Sequence, residues 1–215
     1  LFSDKLSDGT HTVRIMRQNE VWTPAMTVES VIVAENGDLV KNYQPTYDLK
    51  IEFVGDSITS AQNVNYGDSY VVKTAEALNA EYNVVSRSGQ GLYLNSGLGE
   101  CEGLYEDLYH RTVYYGEKDY TGGFDADVVV LNIGTNDDGN VVKLSSDKEE
   151  QTAYVNTFDR LYGEMLDKIH EANPRAVIVC VLGQMGANPL LVEKIQSNVE
   201  SYRTRYPDSK ITYHQ

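Results

Sequence analysis

The chain has 215 residues, 41% of them hydrophobic and 23% charged, which is enough apolar material to bury a full core and too much for a disordered chain. Eighteen basic residues against thirty-two acidic ones give a formal charge of −14, and no Lys/Arg cluster is present to gather a phosphate backbone, so nucleic acid is not an expected partner. No apolar run approaches the roughly 20 residues of a membrane-spanning helix, and membrane insertion is not expected either.

The chain opens on Leu1-Phe2-Ser3, with neither an initiator Met nor a signal-peptide pattern, and reads as processed or trimmed at its start. Residues 11–17 and 26–33 alternate apolar and polar side chains and predict half-buried antiparallel strands, with Glu35-Asn36-Gly37-Asp38 as a hairpin turn. Trp22 falls in this β-rich part and is expected in its core. Gln44-Pro45-Thr46 then has the composition of a linker.

Near residue 48 the texture changes to β then α, repeatedly. Continuous apolar strands at 51–54, 127–133 and 176–182 argue for a parallel sheet with both faces covered. Shorter strands at 83–85 and 210–213 complete five. Between them, Val71, Ala75 and Leu78 mark one helix face, and Tyr154, Phe158, Leu161, Met165 and Ile169 mark a longer one, opened by a capping box of Ser146 with Glu149. Asn188-Pro189 opens a third helix, with Leu191, Ile195, Val199 and Tyr202 turned inward. The fold class expected is α/β: three layers around a five-stranded parallel sheet, preceded by a partial β module. Of the two cysteines, Cys180 lies in an apolar strand and Cys101 in a polar stretch, so no disulfide framework is expected.

In an open parallel sheet, functional groups gather beyond the carboxyl ends of the strands. Three polar, glycine-bearing runs fall there: Gly55-Asp56-Ser57-Ile58-Thr59, Ser86-Arg87-Ser88-Gly89-Gln90-Gly91, and Gly134-Thr135-Asn136-Asp137. Any one alone is explained as a turn or a helix start; the order and placement of all three point to acyl transfer. That chemistry needs a serine hydroxyl to attack a carbonyl and fixed donors for the charge that grows on the carbonyl oxygen. A serine in a tight turn offers both Oγ and its own N–H, a glycine brings a second N–H close, and an Asn amide supplies a third donor.

Val54-Gly55-Asp56-Ser57-Ile58-Thr59, Ser88-Gly89 and Ile133-Gly134-Thr135-Asn136-Asp137 resemble the first three sequence blocks of the SGNH (GDSL) hydrolases, which have a flavodoxin-like fold. The resemblance covers about residues 48–215. It implies Ser57 as nucleophile and first oxyanion donor, Gly89 as the second donor, with Gly91 an alternative, Asn136 as the third, and a structural part for Asp56. Gly9-Thr10-His11-Thr12-Val13-Arg14 ahead of the serine run further resembles carbohydrate esterase family two. Enzymes of that family place a jelly-roll domain before the hydrolase domain and remove acetyl groups from plant polysaccharides. This implies residues 1–47 as the last strands of a jelly roll with a linker, and 48–215 as a hydrolase domain lacking its C-terminal His-bearing segment. It also implies a secreted or cell-surface bacterial enzyme acting on acetylated carbohydrate, with no cofactor and no metal.

In that family the catalytic His follows the last strand, in an Asp-x-x-His or His-Pro context, and no such pattern occurs here. His11 falls in the β-rich part, and His170 near a helix C-terminus, where a cation suits the dipole; both read as structural. His110, in an insertion between Gly91 and Phe124 with Tyr105, Tyr109, Tyr114 and Tyr115, is a candidate base if that insertion overhangs the site. His214, at the end of the fifth strand, is another, and a base beyond Gln215 is the third possibility. Without a base a serine hydroxyl is a weak nucleophile, so activity of these residues by themselves is left open.

Sixteen tyrosines suit stacking on sugars and equally suit covering a sheet. A lipid or short-chain acyl esterase and a non-catalytic carbohydrate-binding protein are the competing readings. No Gly-x-Ser-x-Gly elbow, His-Glu-x-x-His zinc helix or phosphate-binding loop is present. Asp147-Lys148-Glu149-Glu150 reads as the solvated first turn of a helix rather than as ligands.

Overall fold

The computed structural model describes residues 7–16, 28–33, 35–111, 119 and 123–215. Five strands, β1 (Leu49–Gly55), β2 (Ala80–Ser86), β3 (Val128–Asn132), β4 (Val177–Val181) and β5 (Ile211–His214), form one sheet. Their order is β2-β1-β3-β4-β5 and every pair is parallel. The strands run where continuous apolar segments were expected, with ends shifted by one to three residues.

Side chains alternate across each strand, and the sheet therefore builds two cores. On one face Ile51 and Phe53 pack with Val71 and Ala75 of α1 (Tyr70–Ala77). On the other, Val54, Leu131, Ile178 and Cys180 pack against Phe158, Tyr162 and Leu166 of α3 (Lys148–Ala172) and Leu191, Ile195 and Tyr202 of α4 (Pro189–Arg205). The expected inward faces of the two long helices are formed, although Leu161 is only half-buried. Asn188 caps α4 by accepting from the Leu190 N–H, with Pro189 in the first turn.

Two helix details differ from expectation. The cap of α3 is Asp147, whose carboxylate accepts from the Glu150 N–H at 3.0 Å, one residue beyond the expected Ser146 and Glu149 pair. A carboxylate both caps and complements the helix dipole, which a serine hydroxyl does only in part. Leu78 is not on the buried face: α1 ends at Ala77, and Leu78 is the C-cap residue, 49% exposed.

The N-terminal strands expected at 11–17 and 26–33 are not formed among the described residues, and Glu35 and Asn36 make a turn without flanking strands. Val13, Ile15, Val28 and Val31 are exposed, and Ile32 is 90% exposed. An alternating segment becomes a strand only where a sheet covers its apolar side, and an isolated pair is marginal in water. Trp22 lies outside the described residues. Among those described, both cysteines are free thiols and no helix is long and apolar enough to cross a membrane.

Candidate active site

The register brings the three polar runs to one edge. Gly55 pairs with Ser86 on β2 and with Asn132 on β3, Asn132 pairs with Val181, and Val181 with His214. This row ends the sheet on its carboxyl side, and the loops leaving it from β1, β2 and β3 carry Ser57, Gly89 and Asn136.

After β1 the chain closes into a tight turn. The Ser60 N–H donates to the Asp56 carbonyl and the Gln62 N–H to the Ser57 carbonyl, both at 2.9 Å. Asp56 is fully buried, and its Oδ1 accepts from the Ile58 N–H at 3.0 Å. Burial pushes its carboxyl up to about 6 against the pull of that N–H. The carboxylate is thus used inside the turn, in agreement with a structural part. Ser57 is half-buried, and neither its hydroxyl nor its N–H has a hydrogen-bond partner among the described residues.

The run after β2 separates the two glycines. Gly89 has φ +79, a conformation that costs a side-chain-bearing residue strain, and its carbonyl accepts from the Ser96 N–H at 2.8 Å. Its own N–H has no partner among the described residues. Gly91 is glycine for a different reason, since a Cβ there would stand 1.8 Å from the Leu94 carbonyl oxygen. The Gly91 N–H is taken by Asn95 Oδ1 at 3.3 Å.

The run after β3 begins a helix that apolar periodicity does not reveal, α2 (Thr135–Lys143), with Gly134 at its N-cap. The Asn136 amide donates to the Gln90 carbonyl at 2.9 Å, which leaves its second N–H for another acceptor. Asp137 is fully buried and accepts from the Leu92 N–H at 2.8 Å, the Tyr93 N–H at 3.2 Å and the Tyr154 hydroxyl at 2.8 Å. Burial raises its carboxyl to about 6 against those donors. Asn140, also buried, accepts from the Leu98 N–H at 2.9 Å and donates toward the Leu94 and Asn95 carbonyls. On the other side Asp138 accepts from the Asn188 N–H at 2.6 Å, which fixes the loop after β4. Sequence reasoning singled out Asn136 but missed Asp137 and Asn140 as loop anchors. The available signal was their spacing with Asn136 at i, i+1 and i+4 on a helix with few apolar residues.

The histidines are not brought to Ser57. His214 shares the end row, but β3 and β4 separate β5 from β1, a span of roughly 14 Å at about 4.8 Å per strand. Its exposed ring lies 3.2 Å from Thr212 Oγ1. His110 stacks on Tyr105 and its Nδ1 is 2.6 Å from the Tyr105 carbonyl oxygen. The preceding Tyr109 bonds Glu52 and Asn173, and Asn173 sits just before β4 at the amino side of the sheet. The insertion thus divides: residues 92–98 stay beside α2 at the carboxyl edge, while the segment that carries His110 turns back toward the buried Glu52 at the middle of β1. Tyr114 and Tyr115 lie outside the described residues. His170 bonds the Tyr202 hydroxyl at 2.9 Å and stacks on Tyr206, a structural use as expected, and His11 meets the Ser7 carbonyl in solvent.

Residues 53–212 match the GDSL-like Lipase/Acylhydrolase family. The chain is 34% identical over 151 residues to the cellulase/esterase CelE of Acetivibrio thermocellus, covering 63% of this chain and 17% of that protein. It is 26% identical over 195 residues to the acetylxylan esterase / glucomannan deacetylase of Cellvibrio japonicus, covering 82% and 51%. A family two carbohydrate esterase from Clostridium thermocellum, solved in complex with cellohexaose, superposes with a TM-score of 0.66 at 27% identity, over 82% of this chain and 56% of that one. An acetyl xylan esterase from the rumen bacterium Butyrivibrio proteoclasticus shares the fold, with a TM-score of 0.69 at 23% identity, over 80% and 56%. The chain therefore spans about half the length, or less, of the proteins it matches.

Proposed function

The chain belongs to the GDSL-like lipase/acylhydrolase family, the SGNH hydrolases, and from that premise we propose that it is a serine esterase removing O-acetyl groups from plant polysaccharides or oligosaccharides. In this reading Ser57 Oγ attacks the acetyl carbonyl carbon and the oxyanion accepts from the Ser57 N–H, the Gly89 N–H and the Asn136 amide. Collapse of the tetrahedral intermediate expels the sugar hydroxyl and leaves acetate esterified to Ser57, which water then releases.

One observation carries this reading: at the carboxyl edge of the sheet, the Gly91 N–H is engaged by Asn95 while those of Ser57 and Gly89 are not engaged by any described residue. Main-chain donors left open beside an open serine hydroxyl are what a developing oxyanion requires, each lowering the barrier by about 3–4 kcal/mol. The same observation favours Gly89 over Gly91 as second donor. The acetyl-sugar substrate is drawn from the relatives, one an acetylxylan esterase / glucomannan deacetylase and another a family two carbohydrate esterase holding cellohexaose.

The attacking hydroxyl must give up its proton, and the proposed acceptor is a histidine carried beyond Gln215. Residues 1–47 are proposed to belong to a β module, the exposed pairs Val13 with Ile15 and Val31 with Val33 being the apolar sides of strands completed by others. A polymeric substrate places the enzyme outside the cell or on its surface.

The test is acetate release from acetylated xylan and from p-nitrophenyl acetate by the protein extended past Gln215, with Ser57→Ala as control. Hydrolysis by the wild type that the variant lacks is expected. Equal release by both would overturn Ser57 as nucleophile. Binding of the xylan by both without release would favour a non-catalytic carbohydrate-binding protein, a reading suggested by the other partners that the four histidines have among the described residues.

A further inference from the structure

The stretch from Gln90 to Leu98 is shaped mainly by helix α2. Three side chains at i, i+1 and i+4 lie on one face of that helix. Asn136 holds the Gln90 carbonyl, Asp137 holds the Leu92 and Tyr93 N–H groups, and Asn140 holds the Leu98 N–H and reaches the Leu94 and Asn95 carbonyls. The stretch makes few main-chain bonds of its own: Gln90 to Arg87, Asn95 with Gly99, Ser96 to Gly89, and Leu104 to Leu92. Behind α2, Tyr154 of α3 donates to Asp137 at 2.8 Å and accepts from the Asn140 amide at 3.1 Å, which locks the two anchors together.

The anchoring reaches the presumed oxyanion donor in two steps. Asn140 fixes the Asn95 carbonyl, and the next residue, Ser96, holds the Gly89 carbonyl through its N–H at 2.8 Å. The peptide that follows Gly89 is thus held from the same helix that carries Asn136, and it fixes the Gly89 Cα next to the N–H in question. Among the described residues no cation pairs with Asp137. A buried carboxylate without a cation is a costly anchor, since the charge is desolvated with only hydrogen bonds in return. In exchange its two oxygens accept from two consecutive main-chain N–H groups and a tyrosine hydroxyl at once, where an amide has one accepting oxygen and an apolar side chain none.

We propose that Asp137, Asn140 and Tyr154 form a positioning network that sets the Gly89 N–H and the Asn136 amide at oxyanion distance from the carbonyl attacked by Ser57. The inference rests on the reading of Ser57, Gly89 and Asn136 as an acyl-transfer site. None of the three network residues touches the substrate. Their effect belongs to the transition state, because oxyanion donors act only when held within a few tenths of an ångström of their place.

The experiment uses the protein extended past Gln215. It measures kcat and KM on p-nitrophenyl acetate, and inhibition by a boronic acid that forms a tetrahedral adduct on the serine, for wild type, Asp137→Asn, Tyr154→Phe and Ser57→Ala. Circular dichroism and a melting curve establish that each variant is folded. Asp137→Asn is expected to lower kcat about 30- to 100-fold with KM within about threefold, and to weaken the boronate by a comparable factor. Tyr154→Phe keeps the carboxylate and its two N–H bonds, and the same pattern is expected at about three- to tenfold. It decides the matter if Asp137→Asn does not fold. Folded variants with kcat and boronate affinity near wild type, or with KM rising as far as kcat falls, would overturn the network. Wild-type activity no greater than that of Ser57→Ala would instead overturn the Ser57 reading, and the network with it.

Discussion

The Tyr109 hydroxyl donates to the Glu52 carboxylate at 3.0 Å, at the middle residue of β1 and three residues before Gly55. Asn83 donates to the other oxygen of Glu52 at 2.9 Å, and Asn173 reaches both Glu52 and Tyr109. The network ties the insertion, the edge strand and the turn before β4 to one buried carboxylate. Removing the Tyr109 hydroxyl leaves an oxygen of Glu52 without its main donor, a loss of about 1–3 kcal/mol. Tyr109→Phe is therefore expected to shift the urea midpoint downward at unchanged slope, with kcat on p-nitrophenyl acetate within about twofold of wild type. A larger loss of activity than of stability would mean that the insertion does reach the site.

His110 follows Tyr109 and bonds the Tyr105 carbonyl, and two strands stand between His214's strand and β1. Neither is hydrogen-bonded to Ser57. In the protein extended past Gln215, His110→Ala and His214→Ala are each expected to keep kcat/KM within about threefold, since no group that touches substrate is lost. A fall of about a thousandfold in either would identify that histidine as the base and require a rearrangement of its segment.

Asn136 offers a different test because one of its amide protons is already committed to Gln90. Asn136→Ala removes both that bond and the proposed third oxyanion donor. The first loss is worth about 1 kcal/mol of stability, the second about 10²- to 10³-fold in kcat. A variant that melts near wild type yet loses activity on that scale fits the donor role. Retention of kcat within tenfold would remove Asn136 from the oxyanion site.

What was legible beforehand follows from which forces leave a mark on composition. β1, β3 and β4 are buried on both faces, and their continuous apolar runs announced a parallel sheet. β2 was read too short because Glu81 and Tyr82 lie on a half-covered edge strand that tolerates polar side chains. Helix α2 left no apolar periodicity, since its buried positions are Asp137 and Asn140 beside a single buried valine, Val141. Ser57, Gly89 and Asn136 could be named from glycine-bearing runs at strand ends, whereas Asp137, Asn140 and Tyr154 act through main-chain atoms of another loop. Which loop a carboxylate will meet is settled by tertiary packing. The surroundings of His110 were illegible for the same reason: chain order placed its insertion after β2, but the bond of Tyr109 to Glu52 turns that segment back toward the middle of β1.

The buried carboxyls Asp56 and Asp137 give the stability an unusual dependence on pH. Both are raised to about 6 from an ordinary 3.8, chiefly by burial. Between those values the folded chain holds protons that the unfolded chain has already released, so unfolding releases protons and stability falls as pH rises from about 4 to 6. Above about 6 both states are ionised and the contribution levels off. A shift of this size corresponds to a few kcal/mol for the pair together. General repulsion in a chain of formal charge −14 acts in the same direction as the two carboxyls, and salt at about 0.5 M screens it. Urea unfolding at high salt from pH 4.5 to 7.5 is expected to show declining stability up to about pH 6 and a plateau beyond, and Asp56→Asn and Asp137→Asn should each flatten part of the decline. Stability that climbs across this window, or a decline untouched by both substitutions, would show that neither carboxyl stays protonated in the folded chain above its ordinary range.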